Sequence, residues 1–302
     1  MKLYVEAPAT TANLSCGFDV LGLALHLTYR VEVETLDEET FVITHHGEGE
    51  GVIPEGKENL FFQAVQRTWE YLGFRGFGLK AKAWNSIPVT RGLGSSAACI
   101  VAGVAAANAL CGGNLNLEDM LQIAVALEGH PDNVVPAFVG GFTIALTKNG
   151  GILHQRFPFT LPVYLYILVP DYLLSTETMR QVLPGSYSRE DVVFSLGHLA
   201  FLLGSFFKGD IEGFLCALED RIHEPYREKH IKGFSEAKAY IKKKGIGSAA
   251  ISGSGPTILL LLLRPLEDEE EKELKEIFSS YGVCVKVQRV HPREEGVRVV
   301  IL

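Results

Sequence analysis

The chain has 302 residues, 47% hydrophobic and 10% aromatic, with a formal net charge of -8. Its length exceeds the roughly 100–200 residues of one typical domain, so two domains are expected. The acidic balance argues against a nucleic-acid or membrane-surface binder, since both need a broad cationic face, and unbroken apolar runs such as 258–263 fall far short of the roughly 18 residues of a membrane-crossing helix.

The opening MKLYVEAPATTAN is strand-like and lacks the apolar core and small-residue cleavage site of a signal peptide, so it reads as mature, folded protein. Alternation in LGLALHLTYRVEVET from Leu21 and in FVITHHG from Phe41 predicts half-buried strands. Asn59 reads as a helix cap, followed by Leu60, Phe61, Ala64, Val65, Thr68, Trp69 and Leu72 at helical spacing up to Gly73. GLKAKAW returns to a period of two. Helices are predicted from about Ser95 to Leu110 and from Leu117 to Glu128, then strands at 141–147 and 163–169. The Gly and Pro punctuation of NGGILHQRFPFTLP places a domain boundary near residue 158.

Beyond it the order is strand, several helices (176–244), two strands (249–252 and 257–263), helix (268–281) and strand (283–290). That is the β-α-β-β-α-β order of a ferredoxin-like unit with an enlarged first crossover, so the fold class is α+β with domains 1–158 and 159–302. The acidic block 267–271 reads as a solvated helix start rather than a metal site. Cys16, Cys99, Cys111, Cys216 and Cys284 are scattered without C-x-x-C spacing, which predicts neither disulfides nor zinc and fits a reducing cytoplasm.

Four stretches concentrate chemistry. RGLGSSAAC, from Arg91, has the form of a phosphate-binding loop without the usual lysine. Successive backbone N–H groups at a helix N-terminus hold phosphate without a cationic side chain, although a tight turn chosen for close packing accounts for the composition equally well. LEGHPDNVVPAFVGGF, from Leu127, crowds Glu128, His130, Asp132 and Asn133 into one loop, for which a surface turn is the plainer reading. His130 has no second His at metal-ligand spacing, so any ion there would be Mg²⁺ on Glu128. In APATTANLSCGFDVLG, Asn13 and Asp19 flank a Ser-Cys-Gly turn suited to an ammonium or hydroxyl group, or to simple capping. AAISGSGPTILLLLL reads as a hairpin whose Ser252–Gly255 turn lets backbone approach a ligand, or as an ordinary Gly-Ser loop. Arg180 and Arg227 lie on predicted helices, where surface ion pairing is the common role.

Taken together, the stretches resemble one family: the small-molecule kinases that include galactokinase, homoserine kinase, mevalonate kinase and phosphomevalonate kinase. P-x-x-x-G-L-G-S-S-A-A, Pro88 to Ala98, resembles its phosphate loop at full length, and PATTANLSCGFDVLGLAL, EGHPDNVVPAFVGGF, STETMRQVLP and ISGSGPT are similar to the homoserine kinase versions in the same order. The resemblance implies an N-terminal domain like ribosomal protein S5 domain 2, a ferredoxin-like C-terminal domain and a site in the cleft between them. It also implies transfer of the γ-phosphoryl group of ATP to the side-chain hydroxyl of L-homoserine. A sister kinase for another small alcohol and a catalytically silent nucleotide-binding regulator are the rival readings.

Carried over by position, Pro88, Arg91, Gly92, Leu93, Gly94, Ser95, Ser96 and Ala97 would form the nucleotide loop, with the Arg91 side chain turned to solvent or a carboxylate. Asn59 would meet the adenine, and Thr176 the γ-phosphate. Ser96 and Glu128 would hold Mg²⁺. Asn13, Asp19, His130, Arg180, Arg227, Ser252 and Gly253 would bind the amino acid, the arginines suiting its carboxylate and Asp19 its ammonium. Asp132 and Asn133 would face the attacking hydroxyl. Ser15-Cys16 departs from the family's usual Gly-Pro. A homodimer is the expectation from the general frequency of symmetric oligomers.

Overall fold

Alternating burial along the first segments builds a sheet around one long strand. In the computed structural model, which describes residues 1–302, β1 (Lys2–Ala12) pairs antiparallel with β2 (Leu21–Leu36). With 16 residues, β2 serves two further neighbours. Its second half pairs with β4 (Gly78–Asn85) and its start with β5 (Phe142–Lys148). β3 (Phe41–Gly47) runs parallel to β4, and β6 (Gly151–Phe157) closes a hairpin on β5.

Helices cover one face of this sheet. In α1 (Leu60–Tyr71) the Asn59 side chain accepts the Phe61 N–H, as the sequence predicts, and Phe61, Phe62, Val65 and Trp69 turn inward. In α2 (Ser95–Leu110) nearly every residue is buried, which its alanines permit by letting neighbours pack close to the backbone. In α3 (Leu117–Glu128) Asn116 and Asp119 form a reciprocal capping box.

The second sheet has the order β10-β7-β9-β8, built from β7 (Tyr164–Pro170), β8 (Gly247–Ile251), β9 (Ile258–Leu262) and β10 (Val285–Val290). This is the strand arrangement that the ferredoxin-like order predicts. Between β7 and β8 lie α5 (Thr176–Gln181), α6 (Arg189–Lys208), α7 (Ile211–Cys216), α8 (Glu224–Arg227) and α9 (Phe234–Lys244); α10 (Asp268–Ser279) precedes β10. One face of the second sheet, with Leu165, Ile167, Leu259 and Leu261, belongs to the same apolar cluster as the core of the first. The other face packs separately with α9 and α10 through Phe234, Ile241, Leu274 and Phe278.

Four details differ from the sequence reading. The PDNVVPAFV stretch is a buried helix, α4 (Pro131–Val139), rather than a surface loop: Pro131 occupies the first turn, where its missing N–H costs nothing. Residues 151–157, read as punctuation, form β6 because pairing with β5 supplies their backbone partners. Glu270 does not stay solvated but turns back to bind Arg264 at 2.7 Å. Finally, β11 (Arg298–Ile301) leaves the second unit and pairs with β1, so the segment expected to end the C-terminal domain completes the first sheet. All five cysteines are free thiols.

Candidate active site

A cavity of about 370 Å³ opens where the N-terminus of α2, the α3–α4 junction, the β1–β2 turn and the β8–β9 turn converge. Residues far apart in sequence meet there. All the site residues predicted from sequence line it except Pro88, Leu93, Ala97 and Ser252, which are buried behind its wall.

The glycine loop makes an anion cradle. Gly94 caps α2 at φ 66° with no side-chain capping bond, and the helix has no acidic residue in its first turn. The first intrahelical bond runs from Ala98 N to Gly94 O, so the N–H groups of Ser95, Ser96 and Ala97 have no helical partner. Unpaired N–H groups at the positive end of a 16-residue helix attract phosphate. Arg91 does not turn to solvent or a carboxylate as expected: its Nε donates to the Pro170 carbonyl at 3.0 Å, tying the loop to the end of β7. Ser252 does not face the cavity either. Its hydroxyl lies 2.6 Å from the Gly92 carbonyl oxygen and 2.8 Å from Thr11 Oγ1, fixing the loop to the β8–β9 turn.

In the same first turn of α2, Ser96 Oγ donates to Glu128 Oε2 at 2.7 Å. Burial raises the Glu128 carboxyl above its usual range, against the lowering pull of His130 and the Ser96 bond. A desolvated carboxylate whose one hydrogen-bond partner is a hydroxyl suits a hard cation, and two protein oxygens suffice for an ion that also binds phosphates and water. No three Asp, Glu, His or Cys side chains are arranged so that they could hold a metal ion by themselves.

Beside it stands an ordered triplet. His130 Nδ1 lies 2.5 Å from Asp132 Oδ1, and Asn133 Nδ2 donates to the same oxygen at 3.3 Å. Asp132 lines the cavity, and its Oδ2 takes no hydrogen bond from the protein. Burial disfavours the imidazolium of His130, but the bond to Asp132 and its charge outweigh that and raise its pKa. Asn133 is itself held by Thr10, whose hydroxyl donates to Asn133 Oδ1 at 2.7 Å.

The far wall carries matched charges. Arg180 grips Asp19 in bidentate fashion, at 2.7 and 3.1 Å. Arg227 is only 2% exposed, and it donates to the carbonyls of Met179 and Gly253 and to His223 Nδ1, which leaves Nη2 without a protein partner. Burial, then repulsion from Arg180, lowers its pKa to about 10, so it stays cationic at neutral pH. The Phe18 ring lies 5.8 Å from the Arg180 guanidinium and 5.1 Å from that of Arg227. Asn13 links this wall to the β8–β9 turn by donating to Gly253 O at 2.8 Å, and Thr176 meets Ser254 at 3.2 Å.

Asn59 lines the other end, but its polar atoms are engaged: Oδ1 takes the Phe61 N–H, and Nδ2 donates to Pro54 O and to His45 Nε2. It shapes that end with its surface, not with free donors.

Sequence reasoning missed three supports. His223 is a fixed tautomer: Nε2–H donates to Ser15 O, while Nδ1 accepts from Arg227. Asp220 accepts the backbone N–H groups of His223 and Glu224 and the hydroxyl of Ser195. Thr10 lies inside a quoted motif, but only the fold brings it to Asn133. Nothing in HEPYREKH distinguishes His223 from a surface residue.

Fold and cavity together define a two-lobed enzyme of the phosphoryl-transfer class, whose glycine loop lacks the lysine of the commoner nucleotide loops. Residues 59–141 match the family described as GHMP kinases N terminal domain, and residues 202–284 match GHMP kinases C terminal. Homoserine kinase of Aquifex aeolicus is 37% identical over 298 residues, covering 98% of both chains. That of Moorella thermoacetica is 36% identical, covering 98% of this chain and 99% of its own. A solved homoserine kinase from Cytophaga hutchinsonii superposes with a TM-score of 0.86 at 30% identity, over 99% of this chain and 97% of its own. The chain belongs to the GHMP kinase family, in the branch of the homoserine kinases.

Proposed function

We propose that this chain transfers the γ-phosphoryl group of ATP to the side-chain hydroxyl of L-homoserine, giving O-phospho-L-homoserine and ADP. One observation carries the reading: a single cavity sets an anion cradle at α2 against the Asp19, Arg180 and Arg227 charges, with the free oxygen of Asp132 between them. An amino acid that bears a side-chain alcohol matches that spacing of functions. Its carboxylate suits Arg180 and the free Nη2 of Arg227, and its ammonium suits Asp19. Asn13 and Gly253 shape that pocket.

Ser95, Ser96 and the Gly92–Gly94 backbone bind the phosphates, and Asn59 walls the base. Ser96 and Glu128 hold Mg²⁺, which when bound neutralises charge on the phosphate oxygens. Thr176 reaches toward the γ-phosphate. The homoserine hydroxyl sits against Asp132 Oδ2, with Asn133 held in place by Thr10 and His130 holding Oδ1. In transfer, a bond forms from that oxygen to phosphorus while the bond from phosphorus to the bridging oxygen of ADP breaks. Through a loose transition state this demands alignment and charge neutralisation more than a strong base, so the hydroxyl proton departs late, onto an oxygen of the transferred phosphoryl group and from there to water.

Purified protein assayed for ADP release across a short alcohol panel tests the reading. Turnover with L-homoserine is expected, and turnover confined to mevalonate or a sugar refutes it. Asp132→Asn is expected to retain measurable turnover; loss of all chemistry with homoserine binding intact would overturn the positioning role. We also take residues 1–158 and 159–302 as the two domains, with β11 attached to the first.

A further inference from the structure

Two buried polar groups at the Asn59 end of the cavity have no partner in the protein. Five side-chain nitrogen or oxygen atoms are buried without a hydrogen bond, and two of them, His45 Nδ1 and Tyr29 Oη, belong to residues that line the cavity. His45 is 6% exposed and Tyr29 1%. Buried polar groups in folded proteins nearly always find partners, because losing water without replacing it is costly. Two such orphans in one cavity wall therefore point to a ligand that completes them.

Strand register brings the pair together. β4 lies between β2 and β3, and it sets Asn85 beside Tyr29 and Ala83 beside His45. Asn85 and Ala83 are two residues apart, so Tyr29 and His45 leave the same face of the sheet. Asn85 also reaches the phosphate cradle, with its Nδ2 at 3.5 Å from Ser95 Oγ. Beside Tyr29 stands the Cys99 thiol, a weak hydrogen-bonding group that burial keeps protonated by pushing its pKa up to about 12.

Asn59 decides which nitrogen of His45 carries the proton. Its Oδ1 accepts the Phe61 N–H at 2.9 Å, which fixes the orientation of the amide. Its Nδ2 then donates to Pro54 O at 2.7 Å and lies 2.8 Å from His45 Nε2. An amide nitrogen only donates, so Nε2 accepts, and the neutral ring holds its proton on Nδ1. Burial lowers the pKa of the imidazole from 6.5, which keeps the ring neutral at physiological pH.

We propose that His45 Nδ1–H donates to a ring nitrogen of the adenine base, that the Tyr29 hydroxyl makes a second contact to the same base, and that Asn59 acts by positioning His45. The proposal rests on ATP being the phosphoryl donor. An unprotonated purine nitrogen is an acceptor, the complement of a fixed N–H. A donor already stripped of water in the free enzyme loses no hydration when the base arrives, so its bond is realised nearly in full.

Calorimetry of ADP binding to the full chain tests this without any acceptor, so the outcome does not depend on homoserine. ADP is compared with 1-deaza, 3-deaza and 7-deaza ADP, each lacking one ring nitrogen. One of the three should bind wild type about 10-fold more weakly than ADP, and His45→Phe should bind that analogue and ADP alike. Tyr29→Phe should weaken ADP binding about 5-fold, while the nucleotide-free protein unfolds at or above the wild-type temperature, because the hydroxyl removed had no partner to lose. A structural role for that hydroxyl would lower the unfolding temperature instead. Three analogues that all bind like ADP, a loss that persists in His45→Phe, a Tyr29→Phe protein that binds ADP like wild type, or one that unfolds below it would each overturn the proposal and leave the kinase reading standing. A wild-type protein that binds no ADP would overturn both.

Discussion

Ser15 stands where the family resemblance implies a glycine, and its surroundings set what a glycine would do there. Asn13, Leu14 and Ser15 follow one another at φ 74°, 46° and 63°, three left-handed non-glycine residues in the turn that shapes the acceptor wall. At Ser15 this conformation costs about 1–2 kcal/mol. Its hydroxyl is buried without a hydrogen-bond partner, which adds about 1–3 kcal/mol of unrecovered desolvation. Ser15→Gly removes both penalties. Against them stand about 0.5–1 kcal/mol of extra chain entropy in the unfolded state and a small loss of packing. The net expectation is stabilisation of about 1–4 kcal/mol, read as a higher urea midpoint at unchanged slope. The bond from His223 goes to the Ser15 carbonyl at 2.8 Å, which glycine keeps, so KM for L-homoserine should stay within about twofold. A midpoint at or below wild type would refute the strain argument.

Other perturbations read other parts of the site. Arg180→Met should raise KM for L-homoserine about 100-fold and leave KM for ATP nearly unchanged; equal effects on both would contradict the acceptor role. In Gly94→Ala the new Cβ falls 1.9 Å from Thr10 Oγ1 at a φ of 66°. It should cost about 2–4 kcal/mol and lower kcat by releasing Asn133, whereas unfolding and kcat like wild type would remove Thr10 from the argument. His223 gives a pH signature. Burial lowers its pKa from 6.5, with Arg227 adding to the effect, so below 6.5 the unfolded chain binds more protons than the folded one. Stability is complete above that pH and declines on acidification by at most about 1.4 kcal/mol per pH unit until the folded pKa is passed. Urea titrations at pH 7.5 and 5.5 should show the decline in wild type and a shallower one in His223→Gln.

The elements legible in the sequence were those whose own pattern decides them. β2, β3 and β4 alternate, and α1 carries its cap and stripe. α4 was hidden because Pro131, Pro136 and the polar Asp132–Asn133 pair read locally as a turn, while burial against the sheet makes it a helix. β11 was hidden because four residues acquire a sheet only from a partner at the other end of the chain. In the site, motif residues were legible by type. What they do to one another was not: Asp19 holding Arg180, Asn59 spending its amide on Pro54 and His45, and Arg91 reaching Pro170 are contacts that no local spacing encodes.

The return of β11 gives the molecule a closed outline. Leu302 N donates to the Lys2 carbonyl at 2.9 Å, so the chain's two ends lie side by side. The polypeptide crosses between its sheets once after β6 and again after β10, and two crossings restrain twisting as a single tether cannot. The lobe that carries the glycine loop and the lobe that carries the arginines are thus links of one clasped ring.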